Sequence, residues 1–421
     1  MTQIQGARAR HTRVLSVAGV TVIGTLCGVY IISQFLRVSV GVIAPNLASE
    51  IGLSAVELGF LSSAFFVAFA GAQLPLGVAI DRFGPKRCML FCAALMVLGS
   101  LVFAYGATAR DLVLGRILLG FGTASFFMAP LAIYARWFAP EKFSTVTGIH
   151  LGIGSLGTLL ATAPLAFAVA AVGWRATFVG VGGISVVAAF IVLALVRDDP
   201  PGALIERPRE SVRESLVGIW KAMGAPSVGR LFALNLATYS SFLLVVGLWG
   251  GPYLTHHYGL DLKGRGEILF IPALTQIAGA FFWGPMDRVF RRHKAPVLIG
   301  AGSTALLLLA LGFFGTLPMV ALVTLLAAFG FTSAYMPVLI AHGRSLFPPP
   351  LIGRGITLLN MGSMAGVFLS QSVSGALIGL FPSVDGVYPL DAYRLVFALQ
   401  GLLLAAACLL YSGARDPYAR D

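Results

Sequence analysis

Tyr30, Gln34 and Arg37 follow one another at intervals of four and three in an otherwise apolar stretch, YIISQFLRVSVGVIAPNL. On a helix that spacing puts the three polar groups in one stripe. An arginine inside so apolar a run costs at least ~2.5 kcal/mol to bury in a bilayer, and such a residue is functional by default. Its guanidinium stays charged and offers a planar fork of donors that fits a carboxylate or phosphate. No Asp or Glu stands at mid-run to neutralise it, since Glu57, Asp111 and Glu267 lie near the ends of their apolar segments. The chemistry expected is therefore anion binding, with Arg37 gripping the charge and Tyr30 and Gln34 beside it. Asn235 and Tyr239, four apart in a later uncharged run, form the expected opposing wall. Gln276, Tyr335 and Asn360 are weaker candidates. Arg116 is read as a proton-path or packing residue. His150 and His342 are expected at the water interface, near the ends of their segments.

Other chemistries find no support. Cys88 and Cys92 share a helical face, but a single four-residue spacing does not define a metal site. The Met361 and Met364 pair lacks a third ligand at helical spacing. There is no nucleophile–base constellation and no phosphate-cradling loop, so neither an enzyme nor a cofactor is expected.

The elements that must position these residues are membrane helices. Of 421 residues, 57% are hydrophobic and only 11% charged, with mean hydropathy +0.89; soluble domains carry about 25% charge. About 20 apolar residues cross a bilayer. Twelve such runs are expected near 17–43, 55–79, 88–107, 111–134, 145–169, 176–196, 229–252, 266–285, 295–315, 318–341, 355–380 and 394–412. The first follows Arg8, Arg10 and Arg13 and is too long for a cleaved signal sequence. The 50 glycines fit closely packed membrane helices. The polar stretch from Arg197 to Lys221 reads as a solvated linker, dividing the chain into residues 1–196, 197–228 and 229–421. The net charge of +12 does not indicate nucleic-acid binding, because the basic residues sit in short loops between apolar runs. Most of the 29 Lys and Arg fall on one side of the twelve-run scheme. Five, Arg110, Arg175, Lys263, Arg265 and Arg394, fall in loops on the other. The richer side is expected to be cytoplasmic, with both termini there.

The two halves echo each other. Pro45-x-Leu47 recurs as Pro252-x-Leu254, Asp81-Arg82 as Asp287-Arg288, and Arg136 with Pro140 as Arg344 with Pro348, at offsets of 207, 206 and 208. Repeats related by an axis along the membrane normal rock about a midplane site.

The segment GVAIDRFGPKR, with Gly77, Asp81, Arg82, Gly84, Lys86 and Arg87, resembles the loop signature G-x-x-x-D-R-x-G-x-[RK]-[RK] of the major facilitator superfamily. Arg116, Gly120 and Gly122 match that superfamily's R-x-x-x-G-x-G pattern, and GWRATF at 173–178 is similar to the usual start of its sixth span. The resemblance implies an all-α membrane protein of twelve spans in two pseudo-symmetric six-helix halves, a transporter working by alternating access, with the Asp81 loop as a gate. The second copy, GPMDRVFRRHK, keeps Asp287 and Arg288 but has Trp283 and Phe290 where Gly77 and Gly84 would map, so a weaker latch is expected there. The spacing from Arg37 to Pro45 resembles the sugar-phosphate and organic-anion permease branch, in which an arginine of span 1 binds the substrate. That branch carries a second arginine in span 7; here the 207 offset maps Arg37 onto Leu244.

A carrier of a small organic anion, monomeric and in the cell inner membrane, is the leading expectation. Drug or siderophore efflux is the alternative, suggested by Phe65, Phe126, Phe127 and Phe242. A non-transporting sensor would need a cytoplasmic interaction domain, which neither the linker nor the segment 413–421 offers.

Overall fold

A computed structural model describes residues 16–200, 212–314, 316–347 and 351–416. Arg8, Arg10, Arg13, Arg207, Arg209, Pro348 and Arg420, used above for topology and repeat, lie outside them. Among the described residues the chain is a bundle of helices. Eleven are long and apolar enough to cross a membrane, and the shorter apolar helix Thr145–Leu160 supplies the fifth of twelve spans. Spans 1 to 4 run Val17–Ile51, Ala55–Phe83, Pro85–Tyr105 and Ala109–Trp137. Span 5 starts at Pro140 and continues past interruptions at Ser155 and Thr162 to the left-handed turn at Gly173 (φ 79°), after which residues 174–195 form span 6. The helix Val212–Met223 precedes spans 7 to 12: Val228–Tyr258, Leu262–Trp283, Lys294–Phe313, Met319–Leu346, Ile352–Ile378 and Leu390–Ser412.

The repeat seen in the sequence extends to the breaks in the helices. Span 1 is interrupted at Ser39 and span 7 by a π-turn at Val245–Trp249. Span 4 is interrupted at Ala124 and span 10 by a 3-10 turn at Ser333–Tyr335. Under the sequence offset these fall at matching places. Pro45 and Pro252 both lie just beyond such breaks, where each removes a helical N–H donor. Span 7 is the most buried of the eleven long apolar helices, as suits a helix on the central seam.

We call the end of the bundle that carries Asp81 and Asp287 the basic end. There, the first residues after span 6 are not a free linker as expected. Asp198 accepts from the Lys86 N–H at 2.7 Å, Arg136 approaches Asp199 at 3.4 Å, and the Trp137 indole donates to the Arg197 carbonyl at 3.0 Å. The second half repeats the device: Asp416, in Arg415-Asp416-Pro417, accepts from the His293 and Lys294 N–H groups at 3.0 Å each. In each half an acid just beyond the last span caps the start of the third, satisfying donors that a helix N-terminus leaves unpaired.

The halves meet along a seam at the opposite end. Gly41 and Gly251 pack so closely that a side chain on either would strike the backbone of the other helix. A Cβ on Gly59 would lie 2.6 Å from the Gln371 carbonyl. Gly266 packs against Ala166, and hydrogen bonds cross between Ala55 N–H and the Tyr388 hydroxyl (3.1 Å) and between Ser372 and Ser63 (2.9 Å). This is a conformer sealed at the opposite end.

Candidate substrate-binding site

Arg37 sits in the last turn of Val17–Val38, directly before the Ser39 interruption, and is 5% exposed. Its Cζ lies 4.3 Å from the centre of the Phe69 ring. Among the described residues it forms no hydrogen bond or ion pair, and its Nε is buried without a partner. Arg116 is fully buried, with Cζ 4.5 Å from the centre of the Phe65 ring. Its Nη1 donates to the Leu36 carbonyl at 2.6 Å, while Nε and Nη2 find no partner among the described residues. Phe65 and Phe69 are themselves stacked, 6.4 Å apart, one turn apart on span 2. Two guanidiniums thus rest on two neighbouring rings. Such contacts are worth about 2 kcal/mol each when desolvated, which tempers the charge without neutralising it.

Gln34 is half-buried, and its Oε1 is buried without a partner among the described residues. Tyr30 stacks on His150 with ring centres 4.4 Å apart and touches Phe127 at 6.1 Å. The sequence put His150 at the interface; it is in fact fully buried, within 3.1 Å of the Tyr134 hydroxyl and 3.9 Å of the Cys27 sulfur. It lies a full turn deeper than expected because span 5 begins at Pro140. His342 is likewise buried, bonded to the Tyr411 hydroxyl at 2.6 Å and the Arg415 carbonyl at 2.9 Å and stacked on His293.

In the second half, Tyr239 is half-buried on span 7. Asn235 is bonded between helices in this conformer. It donates to the Leu231 carbonyl at 2.9 Å, accepts from Ser363 at 3.1 Å, and is 2% exposed, so it holds span 7 to span 11. Tyr335 donates to Thr238 within the second half at 3.0 Å. Leu244, the counterpart of Arg37, is buried and apolar, so the positive charge of the central region comes from the first half. Of the phenylalanines considered for an efflux cavity, Phe65, Phe126 and Phe242 are core residues; Phe127 is half-buried.

At the basic end, Gly84 adopts φ 90° and ψ 151° between spans 2 and 3, a conformation nearly confined to glycine. Gly77 has open space around it. Asp81 and Arg82 occupy the last turn of span 2. In the second copy the left-handed turn falls on Arg291 (φ 48°), one residue past Phe290. There, the Asp287 carboxylate accepts from the Arg288 N–H at 2.8 Å and lies 4.0 Å from His293. One contributor escaped the sequence reading altogether. Arg265, counted there as a loop residue, is 4% exposed and bonded across the seam.

Twelve spans with matching interruptions in the two halves, around the buried Arg37 and Arg116 that no described carboxylate neutralises, define a polytopic solute carrier. The Major Facilitator Superfamily model matches residues 26–263 and 231–420, and the chain belongs to that family. It is 25% identical over 409 residues to the probable sulfoacetate transporter SauU of Cupriavidus necator, covering 92% of both chains. It is 24% identical over 421 residues to a putative tartrate transporter of Agrobacterium vitis, covering 94% and 95%. Among solved structures it resembles a bacterial homologue of the human lysosomal transporter Spinster, in an inward-facing and unoccupied conformation. That match has TM-score 0.77 and 16% identity, over 94% of this chain and 96% of that one. The chain is a multi-pass membrane transporter.

Proposed function

We propose that the protein carries a small organic acid, binding its carboxylate or sulfonate on Arg37, by alternating access between its two halves. The observation that carries this reading is the buried Arg37 side chain, which no described carboxylate neutralises. A guanidinium without a protein partner gains most from a bidentate anion. Gln34 and Tyr30 lie on the same stripe, Tyr239 stands on span 7, which packs against span 1, and Arg116 adds positive charge behind the ring of Phe65. The relatives named for sulfoacetate and tartrate support an acidic substrate over an efflux cargo. Asp81, Arg82, Gly77 and Gly84 act as the main gate at the basic end, with Asp287 and Arg288 the weaker copy.

The basic end faces the cytoplasm in this reading, with both termini there, the protein monomeric in the cell inner membrane. The excess of Lys and Arg at that end supports the orientation. The division at residues 1–196, 197–228 and 229–421 is supported by the paired caps of Asp198 and Asp416.

Counterflow into liposomes loaded with a panel of one- and two-acid organic anions tests the proposal. Saturable exchange of organic acids, without exchange of neutral sugars, is expected. Exchange of a lipophilic cation but of none of the acids would transfer the chain to the efflux class.

A further inference from the structure

We infer that Arg265 is the clamp that holds the opposite end of the transporter shut, acting on the same interrupted stretch of span 1 that carries Arg37. Arg265 stands in the first turn of span 8 and is almost wholly buried. Its Nε donates to the Val42 carbonyl at 2.7 Å, its Nη1 to the Thr255 hydroxyl at 3.0 Å, and its Nη2 to the Asn46 side-chain oxygen. Val42 and Asn46 belong to the first half, Thr255 and Arg265 to the second. One guanidinium therefore joins span 1, span 7 and span 8 at the point where the halves meet.

Three features make this a gate and not simply an anchor. Asn46 and Val42 lie in Val40–Ile51, which continues span 1 past the turn at Ser39, where the Ser39 N–H still bonds the Phe35 carbonyl, so the clamp grips the continuation of the helix that carries Arg37. Gly41 and Gly251 bring the two backbones together one turn away, and the seam continues through Ser63 with Ser372. Beyond the clamp lies a cavity of about 680 Å³, lined by Asn46, Trp249, Thr255, His256, Arg265 and Tyr393. The clamp thus stands between that vestibule and the Arg37 site. Because Val42 and Asn46 belong to the first half, the two bonds to them exist only while the halves are closed here, and the bond to Thr255 holds the guanidinium in place for them. An interaction present in one conformer biases the equilibrium toward that conformer. Arg37 lies five residues before Val42, so an anion pulling on Arg37 acts on the stretch that Arg265 holds.

The test reads the seam itself and needs no substrate, so it stands apart from the identity of the cargo. In a background with the native cysteines replaced, the pair Ser63→Cys and Ser372→Cys should form a disulfide readily, because their hydroxyls are 2.9 Å apart. Adding Arg265→Gln should slow cross-linking about tenfold, the scale of one charge-assisted hydrogen bond. Arg265→Lys should slow it less, since the charge is kept, but still measurably, since one ammonium cannot reach three acceptors set for a fork. Asn46→Ala, which leaves Arg265 in place, should slow it by a smaller factor and covers the case in which Arg265→Gln fails to fold. Cross-linking at the wild-type rate in folded Arg265→Gln, or in Asn46→Ala should the former not fold, would overturn the assignment.

Discussion

A guanidinium differs from an ammonium in geometry more than in charge, and that difference sets the first prediction. If Arg37 grips an acid with two parallel hydrogen bonds, lysine keeps the charge and loses the fork. Hydrogen bonds to charged groups contribute about 1.5–3 kcal/mol net, so Arg37→Lys should weaken anion binding by about ten- to a hundredfold. Titration of purified protein with the substrate acid measures it. Since Leu244 gives the second half no matching cation, singly charged acids should also outcompete phosphate esters in that titration. The stripe of Tyr30, Gln34 and Arg37 was legible in the sequence because polar groups spaced three and four apart in an apolar run have one common explanation. Arg265 was not legible. Its place three residues into a helix after a polar turn is that of any loop cation, and only the seam shows that Val42 and Asn46 wait for it. Asn235 is the opposite case: an amide inside a span suits a binding wall and a helix-to-helix hydrogen bond equally, and only the structure shows that its oxygen accepts from Ser363.

Helices are positioned at the basic end by capping acids and by turns that need particular residues. Asp198→Ala and Asp416→Ala should each destabilise the protein by about 1 kcal/mol, the usual cost of losing an N-terminal cap, seen as a lower unfolding temperature in detergent. Gly84→Ala should cost about 1–3 kcal/mol, because its φ of 90° is nearly closed to other residues. The gate itself is asymmetric. Asp81→Asn should lower transport far more than Asp287→Asn at equal expression, since only the first loop keeps both glycines and the second has moved its left-handed turn onto Arg291. Equal losses in the two variants would remove the asymmetry. The spans were legible from hydropathy, but their breaks were not: Ser39, Ala124 and the π-turn in span 7 follow from helix packing, to which a hydropathy profile is blind. The caps were hidden for a related reason. Asp198 opens a polar stretch that reads as solvated, and its partner lies 112 residues earlier in the chain.

The whole molecule is a pair of halves closed at one end, and the repeat that announces this is visible in three residue pairs at nearly one offset. The fold class followed from those pairs and from composition; the conformer could not, because a sequence specifies both ends of the transport cycle. Orientation is directly testable. Reporter fusions after Arg87, Lys221, Arg292 and Arg415 should read cytoplasmic, and those at Thr108, Asp261 and Asp385 external; a cytoplasmic signal at Asp261 would refute the arrangement. The central claim is that the carrier holds its substrate by an acid group on Arg37. Equilibrium binding of the transported acid to wild type and to Arg37→Gln, both folded in detergent, tests it most directly. The account predicts saturable binding to wild type and none to Arg37→Gln at the same concentrations. Unchanged affinity in Arg37→Gln would make Arg37 a structural residue and contradict the account.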